Sequence, residues 1–345
     1  TLTAQDVYGN TVTSFNASGN NITVTTTLTG AITGLSGTNK LTNAGDFVSG
    51  VANLTSLGMI FTGTSGSGTF TFTSATGGAS GTSATISIGG GTATKLVMTG
   101  NVSQTAGSSQ TITLTAQDAN GNTATGYTGV KNITFTGATS SPSPATNPTV
   151  SGVNFGTAIN MTFTSGVATA NMILFNAESA TVSATDASIS TAGSDRLTVA
   201  VSAATFSKLA VSLASTQANG VAFTGTNTLT ALDAYGNTVT GFNASTNNVT
   251  VTNSLGGTVT GLGSGGTNVL NQAGDFTNGV ANLTSDGMIY TGTGGAGTFT
   301  FTPATGTAVT SSSVTINAGA ATKLVVTGAA IQGAGTSNSI TITAK

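Results

Sequence analysis

Thr113-Leu-Thr-Ala-Gln-Asp-Ala-Asn-Gly-Asn122 decides the fold. With the preceding Thr111-Ile112 it alternates, placing Ile112, Leu114 and Ala116 on one side. That period of two is a strand with one buried face. Asp118 then opens a turn and Gly121-Asn122 closes it, because Gly and Asn accept positive φ. The stretch recurs as Thr1-Leu-Thr-Ala-Gln-Asp-Val-Tyr-Gly-Asn10 and Thr228-Leu-Thr-Ala-Leu-Asp-Ala-Tyr-Gly-Asn237. A fourth copy begins at Thr341-Ile-Thr-Ala-Lys345. The spacings are 112, 115 and 113 residues, each the size of an independent domain.

Working outward, short alternating strands follow one another with turn signals between them. In the second repeat they are 94–100, 111–117, 131–136, 160–164, 166–174, 180–186 and 196–201. Residues 137–152 hold three of the four prolines and read as a loop. No helical periodicity occurs. The expectation is all-β: tandem Ig-like β-sandwich modules in an elongated array. The divisions are 1–91, a module lacking its first strand; 92–204, a module of a second type; 205–319, a module of the first type; and 320–345, the first strands of a further module. Modules one and three match at Gly50-Val-Ala-Asn-Leu-Thr-Ser56 and Gly279-Val-Ala-Asn-Leu-Thr-Ser285, whereas module two keeps only Gly166-Val-Ala168. The links Gly89–Thr92, Ser202–Thr205 and Asn317–Ala320 are too short for free tumbling.

Composition narrows the chemistry. There is no Cys, His or Trp, and charged residues are only 5 % against roughly 25 % in typical soluble proteins. Thiol and imidazole chemistry are therefore excluded, and with them a Ser-His-Asp triad and an ordinary zinc site. Seven basic residues spread over 345 make no nucleic-acid footprint. No apolar run approaches the ~20 residues of a membrane helix. The reading is a protein that is not an enzyme, has no cofactor, binds no nucleic acid and does not insert into a membrane.

The Asp-x-x-Gly-Asn turn, the Gly-Val-Ala triplet and the strand after it resemble bacterial immunoglobulin-like repeats of the invasin/intimin kind. The residues are Ala116-Gln-Asp-Ala-Asn-Gly-Asn122, Ser165-Gly-Val-Ala-Thr-Ala170 and Ala180-Thr-Val-Ser-Ala184. The resemblance implies an extracellular bacterial or archaeal array, as in adhesin stalks, giant surface proteins and fibres.

Several residues are candidates for a role. Asp6, Asp118 and Asp233 share one turn position; they are candidate calcium ligands, with capping of their own turn the favoured reading. Asp46 and Asp275 read as loop hydrogen-bond acceptors. Glu178, Asp186 and Asp195, with Arg196 adjacent, read as surface ion-pair partners. Tyr8 and Tyr235 stand at turn tips, suited to stacking on sugar or to packing on a neighbouring module, the latter favoured. Asn16, Asn21, Asn53, Asn132, Asn243, Asn248 and Asn282 lie in glycosylation sequons, so glycan attachment stays open.

The expected function is mechanical: a component of an extracellular filament, sheath or surface layer. Its partners are other copies, head to tail and laterally, since edge strands with so few charges lack the usual protection against pairing. The alternative is the stalk of an adhesin whose tip lies elsewhere. Residues 320–345 supply an extra strand of the Lys-Leu-Val type, so Lys323, Leu324, Val325, Val326, Ile340 and Ile342 are expected to pack against the 1–91 module of another copy. The other expectation is that the chain is a stretch of a continuous polymer.

Overall fold

A computed structural model describes residues 1–36 and 38–345. Its chain is almost entirely strand and turn, with three single 3-10 turns at Ala17–Gly19, Ala44–Asp46 and Gly193–Asp195. The buried apolar residues fall into three clusters, spanning Ala17–Phe72, Leu96–Val201 and Leu209–Ile316. The fold is the Ig-like β-sandwich.

Module two shows it most fully. One five-stranded sheet runs Lys95–Thr99, Ser109–Gln117, Val167–Ile173, Thr149–Val150, Val153–Asn154 in spatial order. The other runs Ser103–Thr105, Leu197–Ser202, Ser179–Thr185, Gly129–Thr136, Ala158–Phe163. Leu96, Ile112 and Leu114 from the first sheet meet Ile133, Phe135, Val182 and Val199 from the second, all buried. The alternation of Ile112, Leu114 and Ala116 does point into this core, while Thr113 and Thr115 face away.

Two further stretches of this module, one of them inside the proline-containing segment 137–152, are strands. Ser103–Thr105 pairs in parallel with Leu197–Ser202, and Thr149–Val150 pairs with Val167–Ile173. The first has no apolar alternation because its inward residue is Gln104, which is buried. The amide is satisfied there: it donates to the carbonyls of Ser108 and Met172 and accepts from Gln110. Such a strand is invisible to hydrophobic periodicity.

Modules one and three share a different strand plan. In module three, Lys208–Ser212, Thr228–Leu232 and Val280–Asn282 form one sheet, and Val269–Leu270, Val249–Asn253, Phe299–Pro303 and Val309–Thr310 another. Module one repeats them as Leu2–Thr3 with Val51–Ala52, and as Lys40–Leu41, Ile22–Thr26, Phe70–Ser74 and Ser80–Thr82. The Gly-Val-Ala triplet has one cause in all three modules. Gly50, Gly166 and Gly279 sit at φ +76°, +83° and +79°, with the carbonyls of Val12, Ala124 and Val239 only 2.5, 2.7 and 2.5 Å from where a Cβ would stand. A side chain there meets both left-handed strain and a backbone clash.

Candidate functional site: the joints between modules

The Asp-x-x-Gly-Asn turn lies where one module meets the next. Asp118 Oδ1 accepts from the backbone N–H of Asn120 and of Asn122, each at 2.9 Å. Its Oδ2 accepts from Asn122 Nδ2 at 3.0 Å and from Gly91 N–H at 2.8 Å. Gly91 belongs to the link from module one. Asp233 repeats this with Tyr235 and Asn237 N–H at 2.8 Å each on Oδ1. Its Oδ2 takes Asn237 Nδ2 at 2.8 Å and the link residue Ala204 N–H at 2.9 Å. Each carboxylate thus closes its own turn and pins the link before it.

The Asn side chain carries the contact across. Asn122 Nδ2 donates to Gly63 O at 2.9 Å, and its Oδ1 accepts from Ser65 N–H at 2.8 Å. Asn237 does the same to Phe175 O and Ala177 N–H, both at 2.8 Å. Both therefore grip a carbonyl and the N–H two residues on, on the rim of the preceding module. A primary amide has one donor face and one acceptor face, which suits it to read a backbone segment this way.

The second joint adds an aromatic plug. Tyr235 packs edge-to-face on Phe175, ring centroids 5.1 Å apart, and lies over Gly107. A Cβ at Gly107 (φ +77°) would fall 2.2 Å from the Tyr235 hydroxyl. The proline-containing loop joins in: Ser143 N–H donates to Tyr235 O at 3.0 Å, and Lys208 Nζ donates to Ser143 O at 2.9 Å. Tyr235 thus packs on the module before it.

In module one the same turn is formed but uncovered. Asp6 Oδ1 accepts from Tyr8 and Asn10 N–H, and Asn10 Nδ2 donates to Asp6 Oδ2 at 3.0 Å. Tyr8 is 87 % exposed, whereas Asp233 is 0 % exposed. The Asn10 side chain, then its backbone N–H, hold the Asp6 carboxyl below the usual carboxylate range. Asp118 is held at about 2, first by the Asn122 side chain and then by Gly91 N–H. Hydrogen bonds to the ionised form cause both shifts.

The other acidic candidates lie apart, each with its own partner. Asp46 Oδ2 accepts from Thr42 and Asn43 N–H, and Asp275 Oδ2 from Gln272 N–H. Glu178 accepts from Thr139, and Asp186 from the Tyr127 hydroxyl. Asp195, in the 3-10 turn Gly193–Asp195, pairs with Lys95 of the strand Lys95–Thr99 at 3.2 Å; this lysine is its ion-pair partner, not the adjacent Arg196. Among the described residues no three His, Cys, Asp or Glu side chains converge, and no helix is long and apolar enough to cross a membrane. Lys323, Leu324, Val325, Val326, Ile340 and Ile342 lie on one hairpin, Leu324–Gly328 with Ile340–Ala344, and all but Val325 are exposed.

Apart from Tyr235, the parts of each joint are not legible in the sequence because they lie far apart along it. Asn122 and Gly63 are 59 residues from each other. The Asn that closes the turn gives no separate signal, since Asn10, Asn122 and Asn237 each also bond the Asp of their own turn.

No family model and no curated protein matches the chain. Solved structures similar to it include domains 4–9 of the surface layer protein SbsC, at 18 % identity over 95 % of this chain and 43 % of that one, TM-score 0.21. Yersinia pseudotuberculosis InvD matches at 18 % identity over 92 % and 91 %, TM-score 0.30. A Parabacteroides merdae β-glucuronidase matches at 10 % identity over 64 % and 24 %, TM-score 0.24. The chain spans less than half of the SbsC segment. Likenesses this distant, reaching a surface protein and a glycosidase alike, carry no argument about function.

Gly107 gives a test of the plug. Gly107→Ala should cost about 2–3 kcal/mol in the intact joint, through backbone strain plus displacement of Tyr235, but only about 1 kcal/mol in a Tyr235→Ala background. Denaturant unfolding of the four variants of this cycle measures the difference, and equal costs in both backgrounds would place Tyr235 outside the joint.

A second test concerns Asp286 in module three. Its Oδ2 is buried with no hydrogen-bond partner among the described residues, and burial, then Asp275, push its carboxyl up to about 6. Leu57 stands at this place in module one. A raised carboxyl pKa favours the protonated folded form. The contribution is therefore fully present below the unfolded value near 4 and is lost as pH rises through 6. With screening of its exposed side, the loss is about 1 kcal/mol. Asp286→Leu should raise the melting temperature of module three more at pH 7.5 than at pH 4.5; an equal rise at both would remove the titration.

Proposed function

We propose that this protein is a structural component of an extracellular filament, sheath or surface layer, in which Ig-like sandwiches are held end to end as a bearing array. The observation that carries this reading is the repeated latch. Asn122 and Asn237 make the same two hydrogen bonds to the preceding module, and Asp118 and Asp233 pin the same place in the link. A chain that only spaces a binding tip gains little from fixing each joint, and linkers that allow free motion are longer and unpinned. An array that must hold a shape needs the joint specified as closely as the core. The sparse charge supports the same reading, since surfaces poor in Lys and Glu at strand edges are open to lateral contact.

Immunogold labelling of intact cells that make the protein tests it. The expected result is label in a continuous coat or along filaments outside the cell. Label confined to the interior would overturn the reading.

A further inference from the structure

A groove of about 640 Å³ lies at the first joint. The link residues Gly90–Ala93 form one wall, and Tyr127, Lys131, Asp186 and Ile189 of module two line the rest. Small-molecule sites have roughly this size, 300–1,000 Å³. Module three shows how the space arises. Thr205-Phe-Ser-Lys208 matches Thr92-Ala-Thr-Lys95, and Gly241-Phe242 matches Gly126-Tyr127. In module three the Phe206 ring covers Phe242, centroids 4.5 Å apart, and Phe242 is only 7 % exposed. In module two Ala93 stands in place of Phe206, so the covering ring is missing over Tyr127. The link wall is fixed in position. Asp118 holds Gly91 N–H at 2.8 Å, and a Cβ at Gly90 would stand 2.1 Å from Thr123 O. The latch that sets the joint therefore also holds the groove open.

The polar groups of the groove are unequally engaged. Asp186 Oδ1 accepts from Ser188 and Ile189 N–H at 2.8 and 2.7 Å, and Oδ2 accepts from the Tyr127 hydroxyl. Little of its accepting capacity is left. Lys131 Nζ lies 4.6 Å from the centre of the Tyr127 ring. Among the described residues it meets no acceptor, and the one salt bridge is made by Lys95. An ammonium brings three donors and no acceptor. The groove is thus matched to a ligand rich in acceptors, and a carboxylate forms the strongest bonds to an ammonium. The place that Phe206 fills in module three has room for a six-membered ring, with Ala93, Ile189 and Tyr127 as its apolar contacts.

We propose that this groove binds an acidic sugar, a uronic or sialic acid residue of a polysaccharide, with its carboxylate on Lys131 and its ring between Ala93 and Tyr127. The Tyr127 hydroxyl and Asp186 form the polar end of the site, where sugar hydroxyls are met. Module three closes the same place with Phe206 and carries no such site.

The full chain is tested on a panel of oligosaccharides containing uronic or sialic acid, each beside its carboxyl-reduced neutral twin. The parent should bind at least one acidic member about tenfold or more tightly than the twin. Lys131→Gln should remove that preference, since a hydrogen bond to a charged group is worth about a tenfold change or more. Ala93→Phe puts the module-three ring into the groove; it should abolish binding and leave the melting temperature unchanged or higher. No binding to any member, equal binding to both twins, or Lys131→Gln binding like the parent would each overturn the proposal. So would a folded Ala93→Phe variant that still binds. If Ala93→Phe does not fold, Lys131→Gln decides alone. If the parent ignores every glycan but self-associates, and Ala93→Phe stops this, the groove holds a protein side chain and the proposal fails.

Discussion

Asp233→Ala should loosen the second joint and lower the stability of module three by about 3 kcal/mol or more. The side chain is fully buried and receives four N–H groups: Tyr235, Asn237 main chain, Asn237 side chain and Ala204. Truncation leaves these donors facing a void. A hydrogen bond to a charged acceptor contributes roughly 1.5–3 kcal/mol, and an orphaned buried donor costs more than a missing pair. The total falls below the sum because an opened joint lets water reach some of the donors. Without Asp233, Asn237 also loses the bond that aims its amide at Phe175 and Ala177. Proteolysis in the link Ser202–Thr205 should therefore speed up together with the fall in stability. Asp6→Ala is the internal control. Asp6 makes the same turn bonds on an exposed surface, so its removal should leave unfolding nearly unchanged. Equal effects of the two substitutions would mean that the joint contributes nothing and the turn everything.

This contrast marks how far the sequence could be read. The strand at Thr111–Gln117 and its turn follow from local chemistry: alternation buries one face, and Asp and Gly close the bend. The sandwich follows from many such strands. What local chemistry does not contain is the second use of a residue. Asp118 and Asp6 sit in nearly the same decapeptide, yet one is covered by another module and the other is not. Burial of a turn is decided by what approaches it from more than 50 residues away. The same limit hid Ser103–Thr105, whose inward residue is a satisfied glutamine, and the role of Ser143 in a loop chosen for its prolines. Tyr235 was legible as a contact residue because a large ring at a turn tip has few other uses. Its partner, Gly107, was not, since a glycine announces only that something lies close.

Phe299→Ala should cost module three about 3–5 kcal/mol, a large part of the 5–15 kcal/mol typical of a domain. Phe299 is fully buried. It receives two edge-to-face neighbours, Phe223 at 5.5 Å and Tyr290 at 5.9 Å, so the substitution removes a ring, leaves a cavity and unseats two further rings. In a domain of this size the melting transition should fall by something like 15 °C. Phe70, which stands at this place in module one, has an edge-to-face neighbour in Phe61 at 5.9 Å. Calorimetry separates the modules. The three apolar clusters share no buried residue, so Phe299→Ala should move one transition and leave that of module one in place. Module two is the informative one: Tyr235 packs on its core from across the joint, and Asn237 holds its rim. If the transition of module two falls along with that of module three, the latch transmits stability between sandwiches, and the array behaves as coupled units. If it stays, the latch only sets orientation, and each module answers to load alone.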